Sequence, residues 1–381
     1  MTEVNTNSAP QSGNTGNAGN TDNTDNNNYL APLLAACQNR LSVDPHGPQA
    51  TPLSADPAPW SPDYLAAVPA LSLIRVHGPD AAIFLQGQLT NDVEHLAQGQ
   101  CQWSGLCSPK GRLLASFLVI RETNQADAYQ LLISRELAAS TSKRLTMYVL
   151  RAKAKVEDLS NGHLLIGVQG ASAAASLEKA GLQPPDILFT SGSSRIVIRL
   201  EDVVISGATA PRYLVAAGVD LLAETWNQLS ESLVQRPSSW WRASEIISGV
   251  AHITPAIREA FVPQMINYEI IGGVDFDKGC YTGQEVVARS QYLGKMKRRM
   301  FLATSTAVPG PGDEVTDENA RSIGTVVASG PSEAVAANDT SVVLFESQVE
   351  HGSSAMTGGM PLAVIGLPYE IPEPKPFVRP V

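Results

Sequence analysis

Gly272-Gly273-Val274-Asp275-Phe276-Asp277-Lys278-Gly279-Cys280-Tyr281-Thr282-Gly283-Gln284-Glu285-Val286-Val287-Ala288-Arg289 sets four glycines among aromatic and charged residues and then turns apolar. Thr282 with Glu285 three residues on fits a capping box, which predicts a helix from Gly283. Cys280 then stands just ahead of a helix N-terminus and beside Lys278. The helix dipole and the ammonium both favour a thiolate there. Such a thiolate suits a nucleophile, a metal ligand or a redox sensor. The plain alternative is a small buried hydrophobe, with Glu285 no more than a cap partner. The nearest histidine in the sequence is His252, so no Cys-His pattern is legible, and no GxxxxGK[ST] phosphate loop occurs.

Lys295-Met296-Lys297-Arg298-Arg299 is the dense basic cluster of the chain. It suits phosphates of RNA or the glutamate tail of a cofactor, or else a solvated junction. Upstream, Trp240-Trp241 precede a helix-like stretch from Arg242 to Ile247. Adjacent indoles rarely both face a core, so one is expected to pack, while for the other both readings stay open: packing at a domain interface or offering a flat face to a ring. From Arg298 on, short β-rich pieces alternate with Pro-Gly turns, which predicts a small antiparallel barrel over 298–367. A Pro-rich tail follows over 368–381.

An internal echo precedes these elements. Leu71–Val76 reads as a strand closed by His77-Gly78, with a helix over Pro79–Leu89. Leu164–Val168 reads as a strand closed by Gln169-Gly170, with a helix over Ala171–Ala180. Each unit then repeats a strand and helix, at Tyr129–Ile133 with Glu136–Met147 and at Tyr213–Ala217 with Leu221–Leu233. The fold class is therefore α+β: two similar subdomains, 62–160 with 238–297 and 161–237, plus the barrel. Residues 1–28, nine of them Asn, cannot bury enough surface to order themselves. A short helix over Tyr29–Leu41 and a Pro-rich linker over 45–62 complete an N-terminal region, 1–61, expected to lie outside the folded part.

Composition removes several classes. Twenty-seven Lys and Arg against 37 Asp and Glu leave a net charge of −10, which disfavours general DNA binding. The longest apolar run, Leu113–Ile120, is far below the ~20 residues of a membrane helix. The N-terminus lacks the basic and apolar regions of a signal peptide. Four scattered cysteines, Cys37, Cys101, Cys107 and Cys280, make no disulfide framework and no CxxC zinc knuckle. The expectation is a soluble protein of a reducing cytoplasm.

The string Lys278–Glu285, KGCYTGQE, resembles a signature of the YgfZ family of folate-binding, iron–sulfur-related proteins. Phe261-Val262-Pro263-Gln264, Asn267, Gly272-Gly273 and Phe276 look like its approach, and Val286–Arg289 with Lys297-Arg298 like its exit. Gly78–Ala81, Phe84–Gln88 and Thr90-Asn91-Asp92 resemble the family's first helix, and Cys107–Arg112 its second marker. The resemblance runs in order from about Val68 to Leu367. It implies the fold of the glycine-cleavage T-protein, a ring of two α+β subdomains and a barrel around a folate cavity.

The resemblance also implies tetrahydrofolate as ligand, contact with an iron–sulfur cluster, and iron–sulfur enzymes or assembly proteins as partners, with an indirect effect on tRNA methylthiolation. It assigns Cys280 as the reactive thiolate, Lys278 as its tuner, and Trp241, Tyr281, Gln284, Glu285 and Arg289 to the cofactor site, with no resident metal. Two departures from the T-protein stand out. Ala115 occupies the place of its catalytic aspartate, and Ala208–Arg212 the place of its pterin-binding glutamate. Leu71 replaces a tryptophan common in the family's first strand, whereas Trp241 matches the second. A folate-dependent one-carbon transferase is the alternative, disfavoured by Ala115. An RNA-binding module using Lys295–Arg299 is a further one.

Overall fold

A computed structural model describes residues 41–43, 50–52, 62–186, 190–191, 195–205, 207–292, 296–332 and 341–372. The helix expected over Tyr29–Leu41 lies outside these residues except at Leu41. There a strand begins: β1 (Leu41–Val43) pairs antiparallel with β2 (Ala50–Pro52). The expected linker therefore carries a strand. A three-residue pairing is too short to print an alternating pattern, and Pro52 at its end disguises it further.

β3 (Tyr64–Ala67) and β4 (Leu71–His77) come next, then α1 (Ala81–Gln86), β5 (Cys101–Cys107), β6 (Leu113–Arg121) and β7 (Ala128–Ser134). Helix α2 (Arg135–Val149) and edge strand β8 (Lys155–Asp158) complete a five-stranded antiparallel sheet in the order β5-β6-β7-β4-β8. β6 is buried along nearly its whole length, so it reads as a continuous apolar run rather than an alternating one.

The second unit contains β9 (His163–Gln169), α3 (Ala173–Lys179), β10 (Thr190–Ser191), β11 (Arg195–Ile205), β12 (Ala208–Gly218), α4 (Val219–Ser230) and β13 (Val234–Arg236). Its sheet runs β10-β11-β12-β9-β3-β13. The echo in the sequence is matched in the backbone. Gly78 and Gly170 close β4 and β9 at φ +124° and +116°, and each accepts the amide that opens the next helix, Ala81 and Ala173. Only glycine takes that conformation without strain, which is why both turns carry one.

One assignment changes. β3 was expected with the first subdomain, yet it pairs antiparallel with β9 and parallel with β13 of the second sheet. Asp63 anchors the crossing: its Oδ1 accepts the Ser172 amide at 2.7 Å and hydroxyl at 2.8 Å. Pairing with a strand about a hundred residues away leaves no local mark.

Helix α5 (Ser238–Ile247) and α6 (Gln284–Tyr292) return the chain to the first unit. α5 starts four residues before the expected Arg242 and so includes both tryptophans. α6 starts at Gln284, one residue after the expected Gly283. The chain ends in β14 (Arg298–Ser305), β15 (Glu314–Thr316), β16 (Ser322–Pro331), β17 (Ser341–Gln348), β18 (Met356–Thr357), β19 (Met360–Pro361) and β20 (Ala363–Ile365). These form a barrel-like sheet in the order β19-β18-β15-β16-β17-β14-β20. One apolar core joins the first sheet, α5, the 250–268 segment and barrel residues Met300, Leu302, Val327, Val342 and Leu344. The second unit keeps a core of its own around Trp226.

Candidate functional site

Helix α5 lies where the two sheets and the barrel meet, and a cavity of about 380 Å³ opens along it. Its wall joins the β3–β4 link at Val68–Leu71, Glu136 at the start of α2, Trp241, Arg242 and Glu245 of α5, His252 and Thr254 beyond it, and Val327 and Ala328 of the barrel. Both tryptophans are buried, Trp240 at 7% and Trp241 at 1% exposure, so the packing expected of one holds for both, and Trp241 also borders the cavity. Sheets cover the helix on two sides, and its half-buried residues Ser239, Arg242 and Glu245 border the cavity. Trp240 meets the Tyr64 ring edge-on at 5.6 Å. Trp241 lies against Gly167 of β9, where any side chain would overlap its six-membered ring. The Arg212 guanidinium carbon lies over the Trp241 ring, 4.9 Å from its centroid.

The polar groups here are interlinked. Trp241 Nε1 donates to Glu245 Oε1 at 2.9 Å, and His252 Nε2 is 3.7 Å from that oxygen. Trp103 Nε1 donates to Glu201 Oε1 at 3.0 Å, and Trp103, Glu201, Arg212, Glu245 and His252 line a small neighbouring cleft. Burial pushes the His252 imidazole below its ordinary value, against the pull of Glu245, so it is neutral at neutral pH. Burial also lowers Arg242, with Glu245 and Glu136 opposing. His252 Nδ1 and Thr254 Oγ1 are buried with no hydrogen-bond partner among the described residues. Such atoms are costly unless something fills the space beside them.

The Lys278–Glu285 segment lies elsewhere. Three stretches distant in sequence converge on it. Thr90 Oγ1 donates to the Gly273 carbonyl at 2.6 Å and Asn91 Nδ2 to that of Gly272 at 2.7 Å. Gly283, at φ +84°, lies so close to Gly111 that a Cβ would stand 2.9 Å from its Cα. The Thr90–Asp92, Cys107–Arg112 and Lys278–Glu285 markers thus form one packed cluster.

Lys278 is buried, and its Nζ donates to the carbonyls of Gln86, Leu89 and Asn91 at 2.7, 2.6 and 3.0 Å. An ammonium has three donors, so none remains for Cys280. Through these bonds it clamps the loop after α1, and the expected tuning of Cys280 would have to act through charge without a hydrogen bond. Burial brings Lys278 down to about 8, against Asp92, Asp275 and Glu94. Tyr281 packs under it with its centroid 5.2 Å from Nζ, and burial raises the Tyr281 phenol. Cys280 itself is exposed. Glu285 reaches forward to Arg289 at 3.0 Å, both exposed, rather than back to Thr282.

Of the residues expected at the cofactor site, Trp241 lines the cavity; Tyr281, Gln284, Glu285 and Arg289 do not. The residues that line it beside Trp241, namely Arg242, Glu245, His252 and Thr254, were not anticipated. Their only trace in the sequence is polarity placed singly among apolar neighbours. The basic cluster is also redistributed. Lys295 lies outside the described residues, Arg298 pairs with buried Glu346, and Arg299 pairs with Glu269. Cys101 and Cys107 occupy the two ends of β5, and burial pushes both thiols up to about 12. No group of three or more His, Cys, Asp or Glu set to hold a metal occurs among the described residues. Ala115 is fully buried in β6.

A family model described as the GCVT N-terminal domain matches residues 65–195. The tRNA-modifying protein YgfZ of Edwardsiella ictaluri is 33% identical over 264 residues, 66% of this chain and 76% of that protein. The chain belongs to the YgfZ family. The family's protein from Cronobacter sakazakii is 29% identical over 318 residues, 79% of this chain and 92% of its own. Among solved structures, the glycine cleavage system aminomethyltransferase T from Bartonella henselae superposes with a TM-score of 0.70 at 18% identity, covering 91% of this chain and 99% of its own. The α+β class and the T-protein arrangement are those of this fold. No helix among the described residues is long and apolar enough to cross a membrane.

Proposed function

We propose that this chain binds a reduced folate in the central cavity and supports iron–sulfur cluster assembly or repair, through which it acts on tRNA modification. The observation that carries the folate half is the pair of unpartnered buried atoms, His252 Nδ1 and Thr254 Oγ1, on the cavity wall. Its volume of about 380 Å³ falls in the range of small-molecule sites. Trp241, Ile246 and Val250 supply an apolar wall for a ring system. The Arg242 guanidinium suits a carboxylate such as that of a glutamate tail, and Glu245 accepts from ring N–H groups. Neutral His252 orients without adding charge. Bound there, tetrahydrofolate would supply one-carbon or reducing chemistry.

The names of the relatives support the tRNA half. Cys280 is the exposed thiol available to a cluster, and that cluster belongs to a client protein on this reading. The test is tetrahydrofolate titration followed by tryptophan fluorescence, with Arg242→Ala and Thr254→Val alongside. Saturable quenching, weakened tenfold or more in Arg242→Ala and less in Thr254→Val, is expected. Absence of saturable quenching in the intact protein overturns the folate half.

A further inference from the structure

The C-terminal end of α2 carries Lys143-Arg144-Leu145-Thr146-Met147-Tyr148-Val149-Leu150-Arg151-Ala152-Lys153-Ala154-Lys155, thirteen residues with five cations and no acid in a chain of net charge −10. Lys155 pairs with Glu157. Lys143, Arg144, Arg151 and Lys153 have no carboxylate within 4 Å among the described residues, although the Lys153 amide donates to Asp80 Oδ2 at 2.6 Å. Among these cations three large apolar side chains stand in solvent: Met147 at 60%, Tyr148 at 45% and Leu150 at 86% exposure. The Arg144 guanidinium carbon lies 5.2 Å from the centroid of the Tyr148 ring.

Leu150 is the telling residue. It sits at φ 47°, ψ −101°, the first central position of a tight turn in which the Ala152 amide donates to the Val149 carbonyl at 2.8 Å. That position favours glycine. The chain instead holds a leucine there, strained and almost wholly exposed. Neither its backbone nor its burial repays the choice. Strain at such a position points to a use outside the fold.

We propose that this end of α2 is an RNA-binding face, taking phosphates on Lys143, Arg144, Arg151 and Lys153 and an unpaired base on the Arg144–Tyr148 stack, with Leu150 wedged beside it. Guanidinium and phenol planes both stack on splayed bases, and apolar wedges part neighbouring bases. An anionic lipid surface also attracts cations, but entry into lipid needs a broad apolar face. Here the largest apolar ring is covered by a guanidinium that would have to enter with it. The face goes beyond the folate reading. It stands at the opposite end of α2 from cavity residue Glu136, about 20 Å away along a helix of 15 residues.

The experiment is fluorescence anisotropy of a labelled, unmodified tRNA transcript titrated with the full chain over a salt series. The triple variant Arg144→Glu/Arg151→Glu/Lys153→Glu is expected to bind at least tenfold more weakly. Its slope of log affinity against log salt should shrink by about two to three. Leu150→Gly is expected to keep or raise the melting temperature while weakening binding several-fold, which a merely structural role would not do. Binding equal to the parent in both variants, or no saturable binding by the parent, overturns the proposal. So does loss of sedimentation with phosphatidylserine vesicles while RNA binding persists, since the face would then be a membrane contact. Tetrahydrofolate titration of the same variants should match the parent, so failure of the RNA face and failure of the folate cavity are separately visible.

Discussion

Lys278–Glu285 and the α5 wall of the cavity reached their places by different routes. The first is a contiguous string whose members mostly hold the backbone. Lys278 caps three carbonyls, Gly283 permits contact with Gly111, and Tyr281 lies under the lysine. The second is assembled from the β3–β4 link, α2, α5, the 250s and the barrel, with no string to mark it. A compact motif can therefore identify a chain by its scaffold while the cavity wall is written in single residues. The two regions should respond differently to substitution, and four measurements separate them.

The largest effect is expected from Lys278→Met. It leaves three carbonyls facing an apolar side chain, and a loss of about 3 kcal/mol is expected from buried groups left unsatisfied. Chemical denaturation measures it. A loss under about 1 kcal/mol would mean that the segment is not the clamp described. The same residue sets a pH signature. Its folded value, about 8, lies below its ordinary 10.5. Between those values the unfolded chain holds a proton that the folded one has shed, so stability rises with pH across the window. The rise amounts to about 3 kcal/mol at most. Lys278→Met should lack it, and the difference between the two pH curves isolates this group from other titrations.

Gly167→Ala moves to the cavity side. The added Cβ would overlap the Trp241 ring, and overpacking of that kind costs about 1–3 kcal/mol. Here the signature is local as well as global. The tryptophan emission and tetrahydrofolate affinity should both change, whereas Lys278→Met should lower stability without changing the affinity of the protein that remains folded. Equal folate affinity in Gly167→Ala would place the ligand away from Trp241.

The elements that were legible carry period and punctuation. β4, β9, α2 and α4 each fall within a few residues of the expected spans, and Gly78 and Gly170 mark the echo. What escaped depends on distance in sequence. β3 pairs with β9 across about a hundred residues, and the cavity needs five segments brought together. Trp240-Trp241 stayed ambiguous for a related reason. The rule that neighbouring side chains cannot both be buried assumes one covered face, and α5 is covered on more than one. Lys278 was placed beside Cys280 by adjacency, but its four-carbon stem carries the ammonium back to the loop after α1.

The smallest stability effect is expected at Cys280, and there the comparison is sharpest. Its side chain is exposed, and substitutions at exposed positions away from special backbone sites usually stay within about 0.5 kcal/mol. Cys280→Ser should therefore melt with the parent and bind tetrahydrofolate with the parent's affinity. If the thiol meets a cluster, the same variant should fail to restore iron–sulfur enzyme activity in cells lacking the native gene. Lys278→Met would fail there too, but with a lowered melting temperature. Full restoration by Cys280→Ser would leave the whole Lys278–Glu285 string as scaffold, and the chemistry would then belong to the cavity alone.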